Sequence, residues 1–497
     1  MALKLNCRVS RIWVASALTL CVASIPALAQ EAPVQVTVDG SRRLAVMQPE
    51  AMGIAVAVWD KFGLDPAAAA HIVADGFGVI RYPGGSYADI YHWKTNTATA
   101  GMRATIQPGL DFDHFAAFAR RCGASPLITL NYGTNAAGTG GGDPSEAAAW
   151  VRYANVTRKY GIKYWEVGNE VYGNGFYNGH GWEADLHAPA SATRLKNPLL
   201  GPDEYGRNVA AYSDAMKAVD PGIKVGAVLT TPGNWPDGQR PRWNKHVLEQ
   251  CGAKIDFVVV HWYPNGRTTD SLEHAPDAIP AMVAQLKQEI SRYCGANAGR
   301  IGIWMTEGDA SGWNTRPPGA WYAADEFAAW LSSGAAHVDW WDLHNGAHAT
   351  RDGYYDDQGI LSNGSRAATF TEPRPNTPFP PWYGLQLFHD FAQPGDTFVS
   401  AASSSDNVVA FAVSHADGSI GVVLLNRTGA PGARVTVSGA GTVGRSHIVL
   451  KAYNPLHPAQ ISTRAITGWP AAFSVPPGGI LVIRAHAGSV RRGDRAH

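Results

Sequence analysis

Eight short apolar runs recur between residues 53 and 343, and longer amphipathic or alanine-rich stretches separate them. Short runs bounded by polar and turn-forming residues are typical of buried strands, whereas the stretches between them have helical spacing. Strand and helix alternating eight times predict an α/β fold, a closed parallel (β/α)8 or TIM barrel. The predicted strands are Gly53–Trp59, Gly78–Tyr82, Pro126–Tyr132, Tyr164–Glu170, Lys224–Leu229, Asp256–Trp262, Ile301–Thr306 and His337–Leu343.

The pattern changes after residue 396, where apolar and polar positions alternate in short runs between turn residues. This alternation is typical of a β-sandwich, so residues 49–396 are predicted to form the barrel domain and residues 397–489 a sandwich domain. Residues 30–48 read as a hairpin, with Val34–Val38 and Arg43–Val46 as its strands. No helix accompanies this hairpin, so we expect it to complete the sandwich. Residues 490–497 are predicted to be a disordered tail.

The N-terminal segment has the order of a secretory signal: basic residues, an apolar run from Ile12 to Ile25, then small residues up to Ala29. The apolar run is shorter than the roughly 20 residues that span a bilayer, which disfavours a retained membrane anchor. We therefore expect residues 1–29 to be a signal peptide, and the mature chain to be secreted or periplasmic and without a membrane partner.

Composition excludes several partners. The 497 residues carry 41 Lys and Arg against 41 Asp and Glu, and no basic cluster precedes the tail, which disfavours nucleic acid. The cysteine spacing fits no zinc motif, and acidic residues near Asp356 are more typical of turns than of a calcium site. No metal and no cofactor are expected. A disulfide between Cys251 and Cys294 and two free thiols are equally compatible with the sequence, and nothing in it indicates the oligomeric state.

Two of the predicted strands end in a glutamate beside a glycine. Glu170 closes the fourth run and Glu307 follows the seventh. The carboxyl ends of all barrel strands lie at one face, so these side chains are expected to meet there. A pair of carboxyl groups flanking one bond is the arrangement that hydrolyses glycosides. Asp309 and Asp342 are rivals for the place of Glu307.

The environment of Glu170 bears on its chemistry. Aromatic neighbours such as Trp165 and Tyr172 remove water from its carboxyl group, which is expected to raise its pKa as a general acid requires.

Three further phrases extend the pattern: Arg81-Tyr82-Pro83-Gly84-Gly85 after the second run, Gly168-Asn169-Glu170 at the fourth and His261-Trp262-Tyr263 at the sixth. With them, the chain resembles the clan of retaining glycosidases that carry an acid/base Glu on strand four and a nucleophilic Glu on strand seven. Within that clan it is most similar to the α-L-arabinofuranosidase type, and the resemblance covers nearly the whole mature chain. The segment around Glu307 departs from the commoner Glu-Trp type of nucleophile segment.

The resemblance implies roles for residues near the two carboxyl groups. Glu170 is expected to be the acid/base and Glu307 the nucleophile, while Asn169 would bind the sugar 2-hydroxyl. Arg81 would keep a nearby carboxylate ionised and Tyr263 would hydrogen-bond the nucleophile. His261, like Tyr263, is equally compatible with simple packing. Sugar rings stack on aromatic side chains, for which the candidates are Tyr132, Trp93 and Trp341, with core packing as the alternative.

The expected function is an exported retaining glycosidase acting on polysaccharide or oligosaccharide, with α-L-arabinofuranosidase as the leading specificity. An endo-β-glycanase on the same scaffold is the alternative among enzymes. A carbohydrate-binding barrel without catalysis is the alternative of another class, since a fold does not guarantee activity. Carbohydrate is the expected partner in every case.

Overall fold

A computed structural model describes residues 32–174, 182–188, 197–233, 242–264, 268–350, 354–427, 432–439 and 445–487. The predicted signal peptide and the predicted tail lie outside these residues. Within the described ranges, no helix combines the length and the apolar character needed to cross a bilayer.

Eight parallel strands form a closed barrel, and each strand pairs with the strands that precede and follow it in the sequence. The last strand pairs with the first, which closes the barrel. Because both faces of a barrel strand are covered, most of these residues are apolar and nearly all are buried. The barrel strands are Met52–Ala55, Val79–Tyr82, Ser125–Leu130, Tyr164–Val167, Lys224–Val228, Phe257–His261, Gly302–Glu307 and His337–Trp340.

Helices follow the barrel strands and cover the outside of the barrel. Local sequence sets several of their ends: Asp111 caps one helix by accepting from the backbone N–H of His114, and Gly123 ends it in the left-handed region. A π-helical turn, Arg152–Thr157, extends the helix Pro144–Val151. The α-helices are Pro66–Ala74, Phe112–Cys122, Pro144–Val151, Pro202–Lys217, Trp243–Cys251, Thr269–His274, Ile279–Tyr293, Pro318–Ser332 and Pro380–Phe391.

A second sheet of nine mostly antiparallel strands follows the barrel. Side chains from strands at both ends of this sheet share one apolar core, as expected for a sandwich. The fold class predicted from sequence, a TIM barrel with a C-terminal sandwich, is thereby confirmed. Its strands are Val34–Val46, Thr397–Ser403, Val408–Ser414, Ile420–Asn426, Ala433–Gly439, Arg445–Tyr453, Ile461–Thr467, Phe473–Val475 and Ile480–Ala487.

The N-terminal segment joins this sheet as predicted, but not as a hairpin. Val34–Val46 is one strand that pairs with Thr397–Ser403 on one side and with Ala433–Gly439 on the other. The Asp39–Gly40 turn signal forms a bulge, where the backbone N–H and the hydroxyl of Ser41 donate to Asp39 Oδ1 at 3.0 and 2.6 Å. Both edges of this strand find partners in the C-terminal sheet, so the chain continues forward instead of folding back.

Candidate active site

The carboxyl ends of the fourth and seventh barrel strands bring Glu170 and Glu307 together. One carboxylate oxygen of Glu170 lies within 4.8 Å of one carboxylate oxygen of Glu307, and both side chains are buried. Gly168 turns the chain sharply after the fourth strand, with φ of 78°. A side chain there would lie 2.5 Å from Val171, so glycine suits the turn that presents Glu170.

Glu307 is held by two side chains, Tyr263 just after the sixth strand and Arg81 on the second strand across the barrel. The Tyr263 hydroxyl donates to Glu307 Oε1 at 2.7 Å, and Arg81 Nη1 donates to Oε2 at 3.0 Å. Hydrogen bonds and a cation favour the ionised form of a carboxyl group. The structure therefore brings Arg81, Tyr263 and Glu307 together in the arrangement that a nucleophilic carboxylate needs.

Arg81 is fully buried at the end of the second strand and organises the base of the site. Its Nε donates to Glu166 Oε1 at 2.6 Å and its Nη2 donates to Asn169 Oδ1 at 2.7 Å, besides its bond to Glu307. Burial lowers the pKa of Arg81, but the charges of Glu166 and Glu307 outweigh this and raise it. One permanently charged fork thus fixes three acceptors from two strands.

Glu170 accepts hydrogen bonds at both oxygens. Tyr172 donates to Oε1 at 2.9 Å, Trp182 Nε1 donates to Oε2 at 2.7 Å, and His261 Nδ1 lies 3.0 Å from Oε1. Burial raises the pKa of Glu170, but the hydrogen bond and charge of His261, with the Trp182 and Tyr172 bonds, lower it below its ordinary value. The expectation of a raised pKa, which rested on burial alone, was wrong.

His261 lies between the two carboxyl groups. Its Nδ1 is 3.0 Å from Glu170 Oε1 and 3.6 Å from Glu307 Oε2. Burial lowers its pKa, but the charge of Glu307 and the hydrogen bond with Glu170 raise it above the ordinary value for histidine. The two neighbouring carboxyl groups thus favour the protonated form of the imidazole.

Asn169 is fixed on three sides. Besides accepting from Arg81, it donates from Nδ2 to Glu183 Oε1 at 2.9 Å and from its backbone N–H to Asp89 Oδ2 at 3.1 Å. Because Arg81 only donates, the orientation of the amide group is determined by the network. Asn169 thus precedes Glu170 in the chain and shares the Arg81 guanidinium with Glu307.

The predicted aromatic residues differ in their placement. Trp341 follows the eighth strand and lies against Gly85 and Trp59, with its backbone N–H donating to Gly308 beside Glu307. Trp341 is thus part of the same end of the barrel as the carboxyl pair.

Tyr132 and Trp93 are not brought to the carboxyl pair. Tyr132 is buried, and its ring stacks on His187 with centroids 4.4 Å apart. Trp93 stacks on Trp150 at 5.6 Å and also contacts Phe112 among the helices. Tyr132 also packs edge-on against Tyr205 at 5.0 Å, so both rings pack against other aromatic side chains.

The rivals of Glu307 lie nearby but differ in ionisation. Burial and the charge of Asp356 raise the pKa of Asp309 to about 8, and burial raises the pKa of Asp342 well above its ordinary value. Carboxyl groups that hold a proton at neutral pH are poor nucleophiles. Glu307, with its cation and its phenol donor, is the better candidate.

Several site residues escaped the sequence: Glu166, Trp182, Asp89 and Glu183. Glu166 could have been predicted from the sequence, because strand alternation places its side chain on the same face as that of Glu170. Trp182 and Glu183 lie in the long segment after the fourth strand, which has no periodic pattern. Trp235, which follows the fifth predicted strand and is a further candidate for stacking on a sugar ring, lies outside the described residues.

Among the described residues, Glu170, His261 and Glu307 form the one group of three side chains whose spacing suits a metal ion. Their oxygens, however, already face donors: a guanidinium, two phenols and an indole. Such donors suit a pair of carboxyl groups that handle protons, and we assign no metal to them.

No family model matches the chain. Among curated proteins, the probable α-L-arabinofuranosidase C of Aspergillus fumigatus is 29% identical over 249 residues, which are 43% of this chain and 42% of that protein. The intracellular exo-α-(1->5)-L-arabinofuranosidase of Acetivibrio thermocellus is 24% identical over 219 residues, 39% of this chain and 38% of that protein. The matched region thus spans about two-fifths of these relatives.

Solved structures agree over nearly the whole chain. The α-L-arabinofuranosidase of Thermotoga maritima, solved with arabinose, has a TM-score of 0.68 at 18% identity and covers 91% of this chain and 99% of its own. A bifunctional glucanase-xylanase from a metagenome library has a TM-score of 0.66 at 16% identity, covering 92% and 100%. At such identities the likeness is one of fold.

The barrel fold and the buried carboxyl pair are the features that the resemblance to the retaining barrel glycosidases implied. Within that class, the curated relatives confirm the predicted resemblance to the α-L-arabinofuranosidase type.

Proposed function

We propose that the chain is a retaining glycosidase that removes α-L-arabinofuranosyl groups from polysaccharide or oligosaccharide. The observation that carries this proposal is the carboxyl pair: Glu170 and Glu307 approach within 4.8 Å at their nearest oxygens. Retaining enzymes hold their carboxyl groups about 5 to 5.5 Å apart, whereas inverting enzymes leave room for a water molecule at about 6.5 to 9.5 Å. The names of the arabinofuranosidase relatives support the assignment of arabinofuranose as the sugar.

In the first step, Glu307 attacks the anomeric carbon while Glu170 protonates the leaving oxygen. Tyr263 and Arg81 each hold one oxygen of Glu307 in place before attack. The proton for the leaving group comes from His261, through its 3.0 Å hydrogen bond to Glu170. The glycosidic C–O bond breaks as the ester bond to Glu307 forms.

In the second step, Glu170 removes a proton from water, which attacks the anomeric carbon and releases Glu307. Ester formation has by then consumed the negative charge of Glu307, the largest of the influences that raise the pKa of His261. The first step leaves Glu170 as a carboxylate, the form that a general base needs to accept the proton of water.

We also propose export, supported by the order of basic, apolar and small residues up to Ala29. N-terminal sequencing of protein recovered outside the cytoplasm of a bacterial host is expected to begin at Gln30. Recovery only from the cytoplasm with the full N-terminus would contradict export.

The test of the activity is release of p-nitrophenol from its α-L-arabinofuranoside, with NMR of the first product. Hydrolysis with retention at the anomeric carbon is expected. Depolymerisation of a β-glucan without arabinofuranoside turnover would instead support the endo-β-glycanase. Binding of arabino-oligosaccharides without any turnover would support a carbohydrate-binding barrel.

A further inference from the structure

Glu183 is a buried acid next to the site whose carboxyl group meets another acid. It is 3% exposed, and its Oε1 accepts from Asn169 Nδ2 at 2.9 Å and from Ser86 Oγ at 2.7 Å. The charge of Asp89 acts on the same carboxyl group, so the two acids lie close together. Glu183 Oε2 accepts no hydrogen bond from any donor among the described residues. A buried carboxylate oxygen without a donor, beside a second acid, favours the neutral form of one of the two groups.

The donors around Asp89 decide which residue carries that proton. Asp89 Oδ1 accepts from the backbone N–H groups of Tyr132 and Gly133 at 3.0 and 3.1 Å, and Oδ2 accepts from that of Asn169 at 3.1 Å. Three N–H donors favour the carboxylate form of Asp89. Burial and the charges of Asp89 and Glu170 raise the pKa of Glu183 well above its ordinary value. Glu183 is therefore the neutral partner, and its proton lies toward Asp89.

We propose that Glu183 is a positioning residue that acts, as a neutral acid, through Asn169. Arg81 holds the amide oxygen of Asn169, and Glu183 holds one of its two amide N–H groups. The second N–H is then left to donate to the 2-hydroxyl of a sugar bound between Glu170 and Glu307. This inference rests on the proposed glycosidase function and adds to it the residue that sets recognition of the 2-hydroxyl.

Two variants of Glu183 test whether the residue acts as a neutral acid. In Glu183→Gln, the amide oxygen still accepts from Asn169 and Ser86, and the amide N–H₂ replaces the acid proton toward Asp89. In Glu183→Ala, the Asn169 N–H₂ loses its partner. Asp89→Asn is the matched control for the protonation states, because Asp89 is the ionised partner. An amide at this position would place its N–H₂ against backbone N–H groups that donate hydrogen bonds to the carboxylate.

The kinetic experiment compares kcat/KM for p-nitrophenyl α-L-arabinofuranoside and for its 2-deoxy analogue in wild type and both Glu183 variants. We expect Glu183→Gln to stay close to wild type. Glu183→Ala is expected to lose about 10- to 100-fold, the range found for groups that orient catalytic ligands. The 2-deoxy analogue should show little difference between the three proteins. Equal losses on both substrates, or a Gln variant as poor as the Ala variant, would overturn the proposal.

A second measurement needs no turnover. Infrared difference spectra between wild type and Glu183→Gln, in protein carrying ¹³C-labelled glutamate, are expected to show loss of a protonated carboxylic acid at neutral pH. Loss of a carboxylate signal instead would overturn the neutral acid. With ¹³C-labelled aspartate, Asp89→Asn should lose a carboxylate signal. If wild type is inactive on every arabinofuranoside, the proposed function fails, while the spectra still judge the protonation of Glu183. Thermal unfolding of each variant separates loss of fold from loss of positioning.

Discussion

His261 Nδ1 lies 3.0 Å from Glu170 Oε1, which is within hydrogen-bonding distance of the proposed acid/base. A proton on Nδ1 is one hydrogen bond away from Glu170, so the imidazole can pass it to the proposed acid. The same contact explains why burial alone does not decide the ionisation of Glu170. Glu307, 3.6 Å from that nitrogen, couples the proton to the charge of the proposed nucleophile.

The pKa of His261 is therefore expected to depend on Glu307. In wild type it should lie above its ordinary value of about 6.5, because negative charge stabilises the imidazolium form. In Glu307→Gln that charge is absent, so the pKa should fall. NMR titration of the imidazole ¹⁵N signals measures both values. Glu372→Gln is a control because Glu372 does not contribute to the shift of His261, and an unchanged pKa in Glu307→Gln would contradict the coupling.

The two carboxyl groups are expected to respond differently to azide. Glu307→Ala should lose turnover, and azide should restore part of it as a glycosyl azide of inverted configuration, because azide occupies the place of the nucleophile. Glu170→Ala should lose about 100- to 10,000-fold on substrates that need acid assistance, and its azide product should retain configuration. NMR of the two products measures this. Identical configurations from both variants would contradict the assignment of roles.

Arg81 is expected to matter for stability as well as for activity. In Arg81→Met, Glu166 and Glu307 lose their cation in a buried site, and removal of one partner from such a pair costs about 3 to 5 kcal/mol. Urea denaturation measures the free energy of unfolding. The free energy of unfolding of Arg81→Lys should fall between those of wild type and Arg81→Met. One ammonium group keeps a positive charge but cannot replace a guanidinium that reaches three acceptors. A methionine variant as stable as wild type would show that the network contributes nothing to folding.

Sequence predicted the barrel and the positions of both glutamates because their signals are local. Each barrel strand is a short apolar run, and the polar residues that end it, such as Glu170 and Glu307, stand next to glycines. Parallel strands then bring these ends together without further information. The sandwich strands were visible for the same reason.

What escaped the sequence depends on contacts between distant residues. The pKa of Glu170 is lowered by His261, which lies 91 positions away, and no local pattern identifies such a donor. Trp182 and Glu183 reach the site from a segment without periodicity. The hairpin prediction failed because a turn signal at Asp39 does not reveal that the strand has partners on both sides.

Arg427 joins the sandwich to the barrel, and its loss is expected to destabilise the protein. It follows the strand Ile420–Asn426, and its Nε donates to Asp325 Oδ2 at 2.6 Å while its Nη1 donates to Asp277 Oδ1 at 2.8 Å. Asp325 is fully buried on the helix Pro318–Ser332, so Arg427→Met leaves a buried carboxyl group without its cation. We expect a loss of about 3 to 5 kcal/mol in the free energy of unfolding.

This loss should depend on pH in a definite direction. Burial raises the pKa of Asp325, and Arg427 lowers it. Without Arg427 the folded-state pKa rises further above the unfolded value, so ionisation of Asp325 opposes folding and protonation relieves that cost. The deficit of Arg427→Met against wild type should therefore grow from mildly acidic to mildly alkaline pH in urea denaturation. Arg484→Met, which breaks a partly exposed pair with Asp417 at 3.4 Å, is the control and should cost less than about 1 kcal/mol. Equal deficits in the two variants would contradict a role for Arg427 in holding the two domains together.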